Sequence, residues 1–153
     1  MTEESQLVGW REWCALPALN LPAIKAKLDT GAKTSALHAY DIERYRKRNK
    51  ELVKFCIHPI QGNRQIVVCS QSEIIDQRTI TSSNGHREHR YVILENVQLG
   101  HMTWPIELTL SNRDPLKFRM LLGRDALKHR VIINPARSFC QGRIDATTLK
   151  KLY

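Results

Sequence analysis

Turn signals recur at short intervals along this chain, and each stands between runs that alternate apolar and polar residues. Gly62-Asn63 lies between Val53, Phe55, Ile57 and Ile66, Val68. Ser82-Ser83-Asn84-Gly85 lies between Arg78-Thr79-Ile80 and Tyr91 to Leu94. Leu99-Gly100-His101 precedes Trp104 to Leu110. Alternation with a period of two puts successive side chains on opposite faces of a strand. Asn-Gly supplies the positive φ angles that a tight hairpin needs. Short strands so closely spaced leave little room for long helices and suit a barrel or sandwich. The expected class is therefore mostly β.

The remaining elements follow from the same cues. The first 23 residues hold Trp10, Trp13, Pro17 and Pro22 and read as an early strand or packed loop. Lys25 to Leu28 is a strand running into Asp29, and Thr34 to Ala39 a second short one. Asn112 to Pro115 breaks the chain. Phe118 to Leu122 is a strand ending at Gly123, and Arg124 to Arg130 suits a short helix started by Gly123 or Asp125. Val131 to Ile133 is a last strand, stopped by Asn134-Pro135. With 153 residues, a single domain over 1–153 is expected, its core about 10–135 and its tail about 136–153. A two-residue turn at Gly62-Asn63 would set Gln61 against Arg64 and Cys56 opposite Cys69. Those two cysteines are expected to be neighbours, bonded or not. Cys14 and Cys140 complete the set, and no pair has C-x-x-C spacing, so free thiols rather than a zinc knuckle are the expectation.

No apolar run approaches the length of a membrane span. Glu3 and Glu4 stand where a secretion signal carries positive charge, so a cytoplasmic location is expected. Net charge is +9, which favours acidic partners. Arg44, Arg46, Lys47, Arg48 and Lys50 form a basic cluster around Tyr45. A solvated loop or helix face is its expected form, and nucleic acid is not the expected partner, because one tyrosine is no stacking platform.

Asp29-Thr30-Gly31 is the motif that carries chemistry. Alone it is weak, since composition yields such a triplet in roughly one chain in 40 of this length. Its setting is more specific: an apolar lead-in, Ala32 after it, and Met120-Leu121-Leu122-Gly123-Arg124-Asp125-Ala126-Leu127 further on. The combination resembles the retropepsin-like aspartic proteases, in which an apolar strand, Asp-Thr/Ser-Gly-Ala, a hairpin flap, and an apolar-apolar-Gly segment with a short helix follow in that order. Lys27 to Ala39, Ser83 to His86, Trp104 to Leu110 and Arg119 to Leu127 are similar to a bacterial and archaeal branch often labelled "ATP-dependent zinc protease". The resemblance spans roughly Trp10 to Pro135.

The resemblance implies a closed acid-protease barrel with one short C-terminal helix and a β-hairpin flap. It implies that Asp29 is the catalytic residue, one half of a dyad completed by a second copy of the chain. It makes Thr30, Gly31, Ala32, Leu122, Gly123 and Arg124 the support of the active site. Thr30 would bond across to the partner loop, Gly31 turn the backbone, and Leu122-Gly123 pass behind the catalytic turn. Ser83, Asn84 and Gly85 would form the flap tip against the substrate. Lys33 follows Ala32 where retroviral members carry a second aspartate, so Arg124 needs another partner, Asp41 or the second chain. The implied activity is peptide-bond hydrolysis by a homodimer, with acidic or glutamate-rich tails as substrate by analogy. Members of the branch accompany an ATP-grasp glutamate ligase, which makes such an enzyme an implied functional partner. No cofactor is expected. The chain lacks His-Glu-x-x-His, and His86 and His89 fall on opposite faces of a strand, so no metal site is expected. The alternative is a barrel that binds peptide or nucleic acid without cleaving it.

Overall fold

The computed structural model describes residues 5–82, 84–112 and 118–153. Strands β1 (Gln6–Gly9) and β2 (Arg11–Leu16) open the chain, and a single 3-10 turn leads into β3 (Leu21–Leu28). Then come β4 (Ser35–His38), β5 (Tyr40–Lys47), β6 (Lys50–Ile57), β7 (Val68–Thr81) and β8 (Arg87–Leu99). Strands β9 (Met102–Ser111) and β10 (Met120–Leu122) precede helix α1 (Arg124–Leu127), β11 (Val131–Asn134) and helix α2 (Ala146–Leu152).

One sheet runs β2-β3-β10-β4-β9-β8-β7-β6-β5. Pairing of Ala15 with Gln98 joins β2 to β8 and closes its first six strands into a barrel. The class is mostly β, as the turn pattern implied. Alternation fills the interior. Trp104, Ile106, Leu108 and Leu110 of β9 are buried, as are Leu21, Ile24, Ala26 and Leu28 of β3. Val53, Phe55 and Ile57 form the inward row of β6. Pro105 lies within β9 where β4 no longer flanks it, since β4 reaches only Leu108 to Ser111. A missing N–H breaks no ladder there.

Four local readings need correction. The loop between β6 and β7 is not a two-residue turn. Asn63 Oδ1 accepts from the N–H groups of Gln65 and Ile66, at 2.8 and 3.2 Å, and so holds a wider loop in which Gln61 and Arg64 do not pair. The two-residue turn falls instead at Arg48-Asn49, between paired Lys47 and Lys50, with φ angles of 51° and 64°. The basic cluster is therefore a hairpin, neither loop nor helix. Cys56 still faces Cys69, and the two form a disulfide, so only Cys14 and Cys140 are free thiols. Helix α1 stops at Leu127, and α2, within the expected tail, has no counterpart in the sequence reading.

The segment after β11 packs against the barrel. Glu12, on the inward register of β2, is fully buried. Its carboxylate accepts from the N–H of Gly9 at 2.7 Å, Cys140 at 2.7 Å and Gln141 at 3.0 Å. Asp145 caps α2 by accepting from Thr148 N–H at 2.7 Å. Leu149 is buried, and the Tyr153 hydroxyl donates to the Ala23 carbonyl. Among the described residues, no helix is long and apolar enough to cross a membrane.

Candidate active site

Strand β3 ends at Leu28, and β10 lies beside it in parallel, with Leu122 facing Leu28. That register delivers the Leu122 carbonyl to the Asp29 N–H at 2.8 Å. The backbone then turns back sharply, with Ala32 N–H reaching the Asp29 carbonyl at 3.3 Å. Within the turn, the Gly31 N–H donates to Asp29 Oδ1 at 2.9 Å. The carboxylate is thus oriented by its own loop, while Thr30 and Gly31 stay exposed.

The segment 122–125 holds the other side of the turn. Arg124 N–H donates to the Ala32 carbonyl at 2.8 Å, and Asp125 N–H to that of Lys33 at 3.1 Å. Gly123 N–H donates to Ser35 Oγ at 3.0 Å. A Cβ on Gly123 would sit 2.6 Å from the Thr34 carbonyl oxygen and 2.9 Å from that of Ala32. Both obstacles are backbone, so only glycine fits without moving the turn. Arg124 Nη1 donates to the Thr30 carbonyl at 2.8 Å, within its own chain. Among the described residues Arg124 makes no ion pair with Asp41. With Lys33 in place of an acid, a peptide oxygen serves as an acceptor for Arg124.

Asn84 and Gly85 lie at the tip of the hairpin formed by β7 and β8. Gly85 N–H donates to the Ser82 carbonyl at 2.9 Å, and Ser82 N–H to that of His86 at 2.8 Å. Gly85 has φ near +80°, a value that favours glycine. Ser83 lies outside the described residues. Among the described residues this tip makes no hydrogen bond to the Asp29 turn.

Sequence reasoning missed the connection between hairpin and turn. Glu88 on β8 accepts from Arg90 Nε at 2.7 Å, Ser111 Oγ at 2.9 Å and Asn112 N–H at 3.1 Å. Arg90 Nη1 also donates to Thr109 Oγ1 at 3.1 Å, and that hydroxyl donates to the Ser35 carbonyl at 2.9 Å. The path from the hairpin arm to the segment that follows the Asp29 turn is therefore continuous. Its only sequence signal was a run of polar residues, Thr109 and Ser111, at the end of an apolar strand. Burial pushes the Glu88 carboxyl up, but hydrogen bonds from Arg90, Ser111 and Asn112 outweigh it and hold the group below its ordinary range. A depressed carboxyl stabilises the fold above its unfolded pKa, and the contribution is lost as pH falls through the folded value. Glu88→Gln should thus lower the melting temperature at pH 7, and the difference from the unchanged protein should shrink as pH falls below the ordinary glutamate value of about 4.3. Parallel melting curves down to pH 3 would refute this.

Zinc, which the branch label implies, finds no donor set: among the described residues no three His, Cys, Asp or Glu side chains are grouped to hold a metal. His89 Nε2 lies 2.9 Å from Gln77 Oε1, and His38 Nδ1 lies 3.4 Å from Arg119 Nη1. The basic hairpin is partly neutralised within itself. Arg44 and Arg46 reach Glu51 at 3.5 and 2.7 Å, and Lys54 reaches Glu43 at 3.2 Å.

A six-stranded closed barrel with an Asp-Thr-Gly turn held by a Leu-Gly-Arg segment is the architecture of retropepsin-like proteins. Residues 7–144 match the RimB-like family, described as the retropepsin-like aspartic endopeptidase RimB, and the chain belongs to that family. It is also similar to two proteins named probable alpha-L-glutamate ligase. One, from Shewanella halifaxensis, is 45% identical over 100% of this chain and 33% of its own length. The other, from Desulfotalea psychrophila, is 45% identical over 97% of this chain and 32% of its own. The chain thus spans about a third of the length of these relatives. A solved structure of protein Lpg0085 from Legionella pneumophila, of unknown function, has a TM-score of 0.75 at 28% identity. The match covers 91% of this chain and 100% of that one.

Proposed function

We propose that this chain is one subunit of a homodimeric aspartic peptidase, with Asp29 of each copy forming the catalytic dyad. The observation that carries the reading is the Asp29 turn itself: a carboxylate fixed by Gly31 N–H on a loop held by Leu122 and Arg124. Two carboxylates brought within a few Å share one proton, since both cannot ionise at that distance. The ionised one takes a proton from water as it attacks the peptide carbonyl, and the protonated one donates to the scissile peptide. Thr30, exposed at the apex of the turn, bonds across the two-fold axis to the partner's loop. Ala32 leaves room for the substrate. Asn84 and Gly85, with Ser83, form a flap that closes over the peptide and excludes water.

Acidic, glutamate-rich tails are the proposed substrate, in the cytoplasm and in functional association with a glutamate ligase. Two findings support this. Lys27 and Lys25 occupy the face of β3 that leads into Asp29, and Arg11 pairs with Lys27 across from β2. The relatives named as glutamate ligases contain this whole region within a longer chain.

The dimer requirement gives the test. Specific activity on a glutamate-tailed peptide should fall on dilution, in step with dimer dissociation followed by sedimentation. Cleavage by a species that stays monomeric throughout would overturn the dyad. A stable dimer that binds the peptide and cleaves nothing would favour the non-catalytic alternative.

A further inference from the structure

Strand β5 ends the order of the large sheet, so its outer edge has no neighbouring strand among the described residues. Lys47 and Lys50 pair across the two-residue turn at Arg48-Asn49, which makes them a hydrogen-bonded pair. The ladder alternates from there, and Tyr45 with Leu52 is the next hydrogen-bonded pair. The N–H and C=O groups of Arg44 and Arg46 therefore point away from β6, along the open edge. A bulge shifts the register between Tyr40 and Glu43, but from Glu43 to Lys47 the pairing is regular and no proline interrupts it. An edge of this kind is a template for one more strand.

Charge selects the strand that can join it. From Glu43 to Lys54 the hairpin carries six Lys and Arg residues against two carboxylates, Glu43 and Glu51. Glu51 serves both Arg44 and Arg46, and Glu43 serves Lys54. Lys47, Arg48 and Lys50 are exposed, and among the described residues none of them forms an ion pair. Like charges directly opposite each other destabilise a sheet, so an anion beside Lys47 and Lys50 relieves a repulsion that the free hairpin carries. We propose that the edge of β5 docks an extended acidic segment of another protein as an added strand. Its backbone bonds the outward groups of Arg44 and Arg46, and its carboxylates meet Lys47, Arg48 and Lys50. Side chains on one face of a strand recur every two residues, roughly 7 Å apart, so acids on the guest keep step with cations on the edge. Main-chain bonds supply affinity at such a site and side chains supply specificity. Nucleic acid has the right sign of charge but no peptide N–H and C=O to complete the ladder. A cationic edge also repels the same edge of a second copy, which leaves it open to a partner of opposite charge. None of these residues belongs to the Asp29 turn, so the proposal holds whether or not the chain is a peptidase.

The full chain is titrated against fluorescently labelled poly-L-glutamate, a Gly-Ser peptide of equal length and a single-stranded oligonucleotide, with anisotropy as the readout. Saturable binding of poly-L-glutamate, tighter than that of the other two, is expected. Lys47→Gln, Arg48→Gln and Lys50→Gln together should weaken it about tenfold, the scale of three exposed ion pairs. The melting temperature of that variant should be no lower, because the repulsion between Lys47 and Lys50 is gone. Asp29→Asn should bind as the unchanged chain does, which separates this site from the proposed dyad. Hydrogen exchange at the Arg44 and Arg46 amides should slow in the complex. Unchanged affinity in the triple variant, tighter binding of the oligonucleotide, or Arg44 and Arg46 amides that stay unprotected would overturn the proposal.

Discussion

Asp29→Asn is expected to lower peptide cleavage at least about a thousandfold, the scale set by losing positioned proton transfer, while leaving a folded dimer. Asparagine keeps the shape of the side chain and can still accept from Gly31 N–H through its amide oxygen, so the turn should survive. It cannot take a proton from water. The dyad carries a single charge, and the neutral amides that replace it bring no repulsion to the two-fold axis, so the dimer should persist. Mixing the variant in excess with the unchanged chain should suppress activity by drawing active subunits into dimers with one carboxylate. The measurements are steady-state cleavage of a glutamate-tailed peptide and sedimentation of the same samples. Undiminished cleavage by the pure variant would remove Asp29 from the mechanism.

The largest effect on stability is expected at Glu12. Its carboxylate is fully buried and accepts three backbone N–H groups, from Gly9, Cys140 and Gln141. Glu12→Ala strands all three donors inside the protein. Losing one partner of a buried charged cluster typically costs on the order of 3–5 kcal/mol, a large share of a typical domain's stability. The segment after β11 should come loose first, because two of the three donors belong to it. Urea unfolding should show the lower midpoint, and limited proteolysis should reveal early cutting between residues 135 and 145. A variant within about 1 kcal/mol of the original, with that segment still protected, would contradict this account.

These two positions mark how far the sequence could be read. The Asp29 turn was legible because each of its signals is a short pattern readable by itself: an apolar strand before it, Thr-Gly-Ala after it, and a Leu-Leu-Gly-Arg segment further on. Asn84-Gly85 was legible because it forms a tight turn through backbone preference alone. Glu12 was not, although it stands between outward Arg11 and Trp13 and so falls on the inward side of an alternating strand. Its acceptor role depends on residues that the chain supplies at its far end. Ser35 and Thr109 were missed for the same reason, since each bonds an element remote in sequence. At Gly62-Asn63 the dipeptide suggested a tight turn, but the asparagine side chain satisfies two backbone donors in a wider loop. The turn at Arg48-Asn49 lacks glycine and escaped notice, though asparagine tolerates the left-handed region. Helix α2 is short and depends on Leu149 and Tyr153 docking to the barrel, which no local propensity encodes.

Strand β10 lies between β3 and β4, pairing with both. The Asp29 turn therefore receives its fixing contacts from a segment made long after it. Contacts so distant along the chain form late and slowly in folding. As the polypeptide leaves the ribosome, residues 29–35 emerge without the Leu122 carbonyl, the Gly123 N–H or the Arg124 guanidinium. A growing chain thus carries the Asp29 carboxylate on an unassembled loop until synthesis is well advanced. The order in which the chain is made therefore leaves the Asp29 turn without its support until most of the protein exists.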